Sequence, residues 1–238
     1  MMQIESKSKV IVTGADGFLG SNIVRELLIR GHEVYGLIQP GKSGETLNGL
    51  PVKLFFGDLC NSEDLVPLFR ECDYIIHTAG LTAMWPKRSK SLWKINYYAV
   101  RNLVMLSKKY DMKRFIHIGT ATSFGPGPIS SPGDENTPYA SEKFGVDYFD
   151  SKYMAQKYLI HEAETRNFPV IILNPTFMIG PFDLSIGSNK IILEIYKKNI
   201  PGYSLGGKNY IYVKDVATAA VNAIRESFNW FKGRGTVV

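Results

Sequence analysis

Residues 9–24 have the sequence Lys9-Val-Ile-Val-Thr-Gly-Ala-Asp-Gly-Phe-Leu-Gly-Ser-Asn-Ile-Val24, in which a short apolar run precedes three evenly spaced glycines. The run Val10–Val12 is β-branched, which is typical of a strand buried on both faces. Apolar residues then recur at helical spacing until Gly31, where a glycine favours the end of a helix. Glycines let backbone amides approach a pyrophosphate, and a helix N-terminus attracts that anion. The stretch therefore predicts a dinucleotide-phosphate cradle.

Length and composition indicate a globular chain with room for one large core. The 238 residues are 45% hydrophobic, and no apolar run is long enough to span a bilayer. The N-terminal residues are polar, so we expect no signal peptide, and two cysteines are too few for a disulfide framework. We therefore expect a cytoplasmic protein without membrane association. The net charge of +6 is spread over scattered lysines and arginines, so nucleic-acid binding is not expected.

Strands and helices alternate along the chain. Compact apolar runs predict strands over 10–12, 32–38, 52–56, 74–77, 114–118 and 170–173. Helical periodicity lies between them, most clearly over 92–110 and 144–166. This alternation predicts an α/β fold with a doubly wound parallel sheet, the Rossmann fold. We expect a dinucleotide-binding domain over 1–181, a partial substrate lobe over 182–209, and a strand and helix returning to the core over 210–238.

Small and polar residues follow the predicted strands. In a doubly wound sheet, ligands bind outside the carboxyl ends of the strands. The groups that would meet there are Gly14–Gly20, Asp58-Leu59, Thr78–Gly80, Thr120–Ser123 and Asn174-Pro175. The sequence therefore predicts an active-site crevice at this edge of the sheet.

A tyrosine and a lysine stand four residues apart in Tyr148-Phe-Asp-Ser-Lys152, so they share one face of a predicted helix. A phenol has a pKa of about 10, and a nearby ammonium lowers it, which would make the tyrosine a general acid or base. On spacing alone, a solvated surface pair is the alternative.

Two other pairs have the same spacing, namely Tyr139/Lys143 and Tyr153/Lys157. Tyr139 follows Pro138 and is expected in the loop or at the helix entrance. Tyr153 lies about 140° further around the helix than Tyr148. We therefore select Tyr148.

Together the motifs resemble those of the extended short-chain dehydrogenases/reductases, the NAD-dependent epimerase/dehydratase family, and within it the dihydroflavonol reductases. The resemblance runs from Val10 to about Ala223. It rests on motifs in the family's order: Thr13-Gly14-x-x-Gly17-x-x-Gly20, Asp58-Leu59, Thr78-Ala79-Gly80, Asn96, Tyr148-x-x-x-Lys152, Asn174-Pro175 through Gly180-Pro181, and Tyr212-Val-x-Asp215. One such motif is weak, but the ordered set is specific.

The resemblance implies a role for each matching residue. Thr120 would orient the substrate oxygen, with Thr122 and Ser123 as alternates. Tyr148 would transfer a proton, and Lys152 would lower the phenol pKa and hold the cofactor ribose; Asn96 completes the catalytic set as a structural asparagine. Hydride would pass between nicotinamide and a small-molecule carbonyl or alcohol. The implied cofactor-binding residues are Gly14, Gly17, Phe18, Leu19, Gly20, Gln39, Lys42, Asp58, Leu59, Thr78, Ala79, Gly80, Tyr148, Lys152, Asn174 and Pro175. No metal site is expected, because the four histidines lack ligand spacing.

The end of the second strand bears on the choice of cofactor. NAD binding favours an acidic residue there, and the sequence from Leu37 to Ser43 has no carboxylate. Lys42 and Ser43 could meet a 2′-phosphate, although Gln39 replaces the usual arginine. NADP is therefore mildly favoured over NAD.

Two other functions are compatible with the sequence, a nucleotide-sugar epimerase and a non-catalytic dinucleotide-binding sensor. The Tyr148/Lys152 pair argues against a sensor. The short C-terminus argues for one, because members of the family usually continue beyond the position that matches Val238. We therefore expect a small substrate lobe, either truncated or naturally short.

A homodimer is also expected. In the family resembled, the helices that correspond to 92–110 and 144–166 pair between subunits. The apolar residues of the first helix exceed one core-facing stripe: Val100, Leu103, Val104 and Leu106.

Overall fold

A six-stranded parallel sheet forms the centre of the protein. A computed structural model describes residues 7–184, 187, 189–202 and 207–225. The strands are β1 (Lys9–Thr13), β2 (Glu33–Ile38), β3 (Lys53–Phe56), β4 (Tyr74–His77), β5 (Arg114–Ile118) and β6 (Val170–Leu173). Their order is β3-β2-β1-β4-β5-β6, and each neighbouring pair is parallel. The order reverses between β1 and β4, so the predicted doubly wound sheet is confirmed.

Helices cover both faces of the sheet. They are α1 (Phe18–Ile29), α2 (Ser62–Glu71), α3 (Lys90–Trp93), α4 (Ala99–Lys109), α5 (Asp147–Arg166), α6 (Lys190–Tyr196) and α7 (Val213–Asn222). Because strand side chains alternate between faces, Val10 and Val12 pack with α1 and α7. Ile11 between them packs with α2, α4 and α5. Both cores therefore meet at β1, the strand that leads into the glycine turn.

The two long predicted helices differ from the observed ones, the first in its interior and the second at its start. The first is interrupted by a π-helix over Lys94–Tyr98, which joins α3 to α4. The second begins at Asp147 rather than near Phe144, because Gly145 adopts a φ of +61° after a short 3-10 helix. Apolar periodicity does not detect either feature, since both depend on the local hydrogen-bond pattern.

The four apolar residues of α4 that the sequence suggested as a surplus face are all buried, at most 2% exposed: Val100, Leu103, Val104 and Leu106. They pack with residues of the sheet, α2 and α5 in one core. The interpretation that they form a second, unpartnered stripe is therefore wrong, because α4 is covered on more than one side within its own subunit.

A second sheet follows the central one. It consists of β7 (Phe177–Ile179), which the sequence did not predict, and β8 (Tyr210–Tyr212), and the two pair in parallel. α7 then packs against α1. The expected return of the chain over 210–238 can be followed to Arg225, and 226–238 lie outside the described residues. Within the described part of the chain, no helix combines the length and apolarity needed to cross a bilayer.

Candidate active site

An open cleft of about 2620 Å³ lies along the carboxyl ends of the strands. It is several times larger than a typical drug-sized pocket of about 300–1,000 Å³, so it has room for a dinucleotide together with a substrate. Most of the predicted site residues line it directly. Asn96, Lys152 and Asn174 lie behind its wall, each at most 8% exposed.

The glycine turn between β1 and α1 is shaped by close backbone contacts. Gly14 has a φ of +64°, and a methyl group there would lie 2.9 Å from the Ala79 Cα. A methyl group on Gly20 would lie 2.0 Å from the Gly14 carbonyl oxygen. Gly17 is exposed and forms the N-cap of α1, and no side chain among the described residues caps this helix end. Phe18, Leu19 and Gly20 of the first helical turn line the cleft, and an uncapped helix start fits an anion such as a pyrophosphate.

The far end of the cleft is lined by Gln39, Lys42 and Ser43, as the sequence predicts, and also by Glu45. Asp58 accepts a hydrogen bond from the Cys60 amide (2.9 Å), and its carboxylate lies 3.3 Å from the Lys94 ammonium. That amide, with a smaller contribution from Lys94, holds the pKa of Asp58 below its usual range. This end of the cleft therefore contains both positively and negatively charged side chains.

Thr120 and Tyr148 meet at the tip of β5. The Thr120 amide donates a hydrogen bond to Asn174 Oδ1 (2.7 Å), which fixes the backbone. The Thr120 hydroxyl lies 3.0 Å from that of Thr122. Burial raises the pKa of Tyr148, and a hydrogen bond with Thr120 opposes this shift without cancelling it. At neutral pH the phenol is protonated and lines the cleft.

Lys152 lies one turn further along α5, with its ammonium turned inward. Nζ donates a hydrogen bond to the Ile118 carbonyl oxygen (2.7 Å), and the side chain is buried. Burial lowers its pKa to about 8. The pKa lowering of Tyr148 that the sequence assigned to Lys152 is not seen in this arrangement. Burial sets the direction of the Tyr148 shift, while the ammonium bonds a backbone carbonyl.

Asn96 connects the turn after β4 to α5. Its Oδ1 accepts from the Leu81 amide (2.9 Å), and its Nδ2 donates to the Leu81 carbonyl oxygen (3.0 Å) and to Ser151 Oγ (3.2 Å). It lies within the π-helix, a distortion that recurs at functional sites. A methyl group on Gly80 would lie 3.3 Å from Asn96 Oδ1 and 3.9 Å from Lys152 Nζ. Asn96 therefore acts as a support behind the wall of the cleft.

The two competing tyrosines contact each other and take no part in this arrangement. The rings of Tyr139 and Tyr153 stack with their centroids 4.1 Å apart, and the Tyr139 hydroxyl donates to Asp150 Oδ1 (2.7 Å). Burial, reinforced by Asp150, raises the pKa of Tyr139. Packing and hydrogen bonding thus account for both residues.

Sequence reasoning missed the contacts that attach loops to α5 and α1. Asp147 binds the Arg88 guanidinium (2.9 Å) and the Ser89 amide (2.6 Å), and so fixes the loop after β4 to the start of α5. Phe182 lines the cleft and stacks on Arg25 of α1 at 3.7 Å. An aspartate in the first turn of a predicted helix was a signal for the contacts of Asp147. Nothing in the sequence pattern indicated the contact between Phe182 and Arg25.

Comparisons with known proteins agree with the fold and the motifs. A model of the NAD dependent epimerase/dehydratase family matches residues 10–235. The chain is 30% identical to a putative dihydroflavonol 4-reductase of Synechocystis over 94% of its own length and 63% of that protein. It is 28% identical to sterol demethylase protein B of Methylococcus capsulatus over 90% of its length and 65% of that protein. The chain thus spans less than two thirds of these curated relatives.

A solved structure gives the same result. The UDP-glucose 4-epimerase of Thermus thermophilus, in complex with NAD, superposes with a TM-score of 0.78 at 25% identity, over 92% of this chain and 75% of that one. The family resemblance inferred from the ordered motifs is confirmed, and the chain belongs to the NAD-dependent epimerase/dehydratase family.

Proposed function

We propose that the protein is an NAD(P)-dependent oxidoreductase acting on a small-molecule carbonyl compound or alcohol. The observation that carries this proposal is the meeting of Thr120 and Tyr148 at one wall of a dinucleotide-sized cleft, with Lys152 directly behind them. The names of the curated relatives, which include reductases and dehydrogenases, support the same reaction class.

In this proposal the uncapped start of α1 and Gly17 bind the pyrophosphate, and Asp58 contacts the adenosine half. When bound, the nicotinamide supplies or accepts hydride. Thr120 orients the substrate oxygen by a hydrogen bond. Tyr148 donates its proton to that oxygen in the reductive direction, because its raised pKa keeps the phenol protonated.

Lys152 has two tasks in the proposed reaction. Its ammonium has donors beyond the bond to Ile118, so it can also hold a ribose hydroxyl at the wall near Gly80. With a pKa of about 8, the side chain is charged at neutral pH and close to titration. It would therefore stabilise the phenolate that forms when Tyr148 releases its proton.

We infer that NADP is the preferred cofactor. The end of β2 has no carboxylate, and Lys42 lines the cleft where a 2′-phosphate would lie. Glu45 lines the same region and favours NAD, which makes the preference modest. Direct fluorescence titration tests it: Lys42→Ala should weaken NADPH binding more than NADH binding, whereas Lys109→Ala on α4 should change neither. Tighter binding of NADH by the wild-type protein would overturn the preference.

A nucleotide-sugar epimerase is the second candidate. It is favoured by 29% identity to the UDP-glucose 4-epimerase of Caenorhabditis elegans over 90% of this chain, and by the superposition with the Thermus enzyme. An epimerase returns the hydride to its substrate, so no net NAD(P)H accumulates or disappears. Incubation with ketones, alcohols and nucleotide sugars, followed by NAD(P)H absorbance and product analysis, distinguishes the two. No turnover of any class with bound cofactor would contradict both and favour a dinucleotide sensor.

We further infer a homodimer through α4 and α5. The buried apolar residues of α4 do not support it, but large apolar side chains are exposed in this region of the subunit. These are Tyr98, Met105 and Met154. Arg101 lies over the rings of Tyr97 and Tyr158, which joins the two helices into one surface.

A further inference from the structure

Residues 180–184, called here the strap, lie at the mouth of the cleft beside α1. Phe182, Asp183 and Leu184 line the cleft together with Gly17 and Phe18 of the glycine turn. Asn22 Nδ2 donates to the carbonyl oxygens of both Phe18 and Pro181, so the strap is next to the start of α1, where the proposed function puts the cofactor pyrophosphate.

Asn189 fixes the course of the strap. Its Oδ1 accepts a hydrogen bond from the Gly180 amide (3.1 Å), and its Nδ2 donates to the Gly180 carbonyl oxygen (2.7 Å). Its backbone amide donates to Asp183 Oδ2 (3.1 Å). Both ends of the strap are thus attached to one residue, and the segment between them has a defined geometry.

Two side chains of α1 hold the middle of the strap. Asn22, which is 4% exposed, donates from Nδ2 to the Pro181 carbonyl oxygen (3.0 Å). The Arg25 guanidinium lies 3.7 Å from the centroid of the Phe182 ring. Arg25 also donates to the carbonyl oxygens of Ser21 (2.9 Å) and Thr46 (2.6 Å). Because the guanidinium is planar and fixed on two sides, it offers the ring a preformed surface.

The backbone of Phe182 is unusual. Its φ is +71°, a region that a bulky residue rarely adopts. The ring is 39% exposed, so burial alone does little to compensate for this conformation. Backbone strain of this kind concentrates at ligand clamps and switch regions. The contact of the ring with Arg25 is one of the interactions that hold this conformation, beside the hydrogen bonds of Asn22 and Asn189.

We propose that Arg25 and Phe182 form a clasp that holds the strap over the glycine turn and slows the release of a bound nicotinamide dinucleotide. The inference rests on the proposed function and assigns positioning residues to it. Arg25 joins three walls of the cleft, since it belongs to α1, binds Thr46 and contacts the strap. Thr46 in turn donates to the Asp16 carbonyl oxygen in the glycine turn (2.9 Å). Opening the strap requires that the ring leave the guanidinium.

The test measures the dissociation rates of NADH and NADPH by stopped-flow displacement, followed by cofactor fluorescence. Arg25→Lys and Phe182→Leu should each release the cofactor about threefold to tenfold faster, the range expected for loss of one partly exposed cation–π contact. The double variant should be no faster than the quicker single variant, because each change removes the stacking of a planar guanidinium on the Phe182 ring. Arg101→Lys is the matched control, since Arg101 also stacks on rings but on α4, and it should leave the rate unchanged.

Phe182→Gly separates the clasp from general damage to the fold. Glycine adopts a positive φ without strain, so the melting temperature should be unchanged or higher while release becomes faster. Hydrogen exchange at the strap amides of the cofactor-free protein should also rise in both Phe182 variants. Wild-type release rates in Phe182→Gly and Arg25→Lys would refute the clasp alone. Failure of the wild-type protein to bind either nucleotide would refute the proposed function itself.

Discussion

Replacing Tyr148 by phenylalanine should separate the chemistry of the site from the stability of the fold. The change removes one hydroxyl, and with it the interaction of the phenol with the Thr120 side chain. A neutral hydrogen bond contributes about 0.5–1.5 kcal/mol to stability. Since Tyr148 is only partly buried, we expect a loss in the free energy of unfolding near the lower end of that range. Loss of the general acid should reduce the turnover rate by about 10²–10⁴.

Tyr139→Phe is the matched control, and the structure predicts the opposite ranking for it. The Tyr139 hydroxyl donates to the Asp150 carboxylate at 2.7 Å. A hydrogen bond to a charged group contributes about 1.5–3 kcal/mol, so this variant should be the less stable of the two. Its turnover rate should remain within a few fold of wild type. Tyr153→Phe, which loses a hydroxyl but keeps the stacked ring, should change activity equally little.

All three variants are to be compared in one hydride-transfer assay and one chemical denaturation series. We expect that the least active variant is not the least stable one. If Tyr148→Phe keeps full activity while Tyr139→Phe or Tyr153→Phe loses it, the site is misplaced. If none of the three affects turnover, proton transfer by a tyrosine is not part of the reaction.

Three further outcomes are expected. Gly17→Val should abolish NADH and NADPH binding in a fluorescence titration without unfolding the sheet, because Gly17 is exposed at the start of α1; wild-type affinity would contradict the cradle. Lys152→Met should abolish activity yet raise the free energy of unfolding at pH 7 by up to about 3 kcal/mol, since burial lowers the Lys152 pKa from 10.5 to about 8. Between pH 8 and 10.5 the unfolded wild-type chain binds a proton at Lys152 that the folded protein does not. The free energy of unfolding of the wild type, measured by denaturant titration, should therefore rise relative to that of the variant over this pH range. A difference between the two proteins that does not change with pH would refute this. Light scattering should show a dimer at micromolar concentration that Met105→Glu dissociates, and a wild-type monomer would refute the proposed interface.

The fold could be predicted from the sequence because its signals are local. Each strand of the central sheet falls in a compact apolar run, such as Val10–Val12, and begins and ends close to the predicted positions. The ligand-binding edge follows from parallel strand direction alone, which is why the sequence predicts the glycine turn, Asp58 and Thr120 at one edge of the sheet. β7 escaped prediction because three residues are too few to establish a period.

The environment of the site could not be predicted in the same way, and Lys152 shows why. Spacing put its ammonium on the same helix face as Tyr148, and in water that arrangement would lower the phenol pKa. In the folded protein this face of α5 turns inward, and its buried positions include Ser151, Lys152 and Gln156. Desolvation then determines both pKa shifts, raising that of Tyr148 and lowering that of Lys152. Prediction from an amphipathic pattern assumes that buried faces are apolar, so a helix that buries polar residues gives a misleading pattern. Burial of this kind lowers the pKa of Lys152 and so makes the lysine more reactive, at the expense of stability.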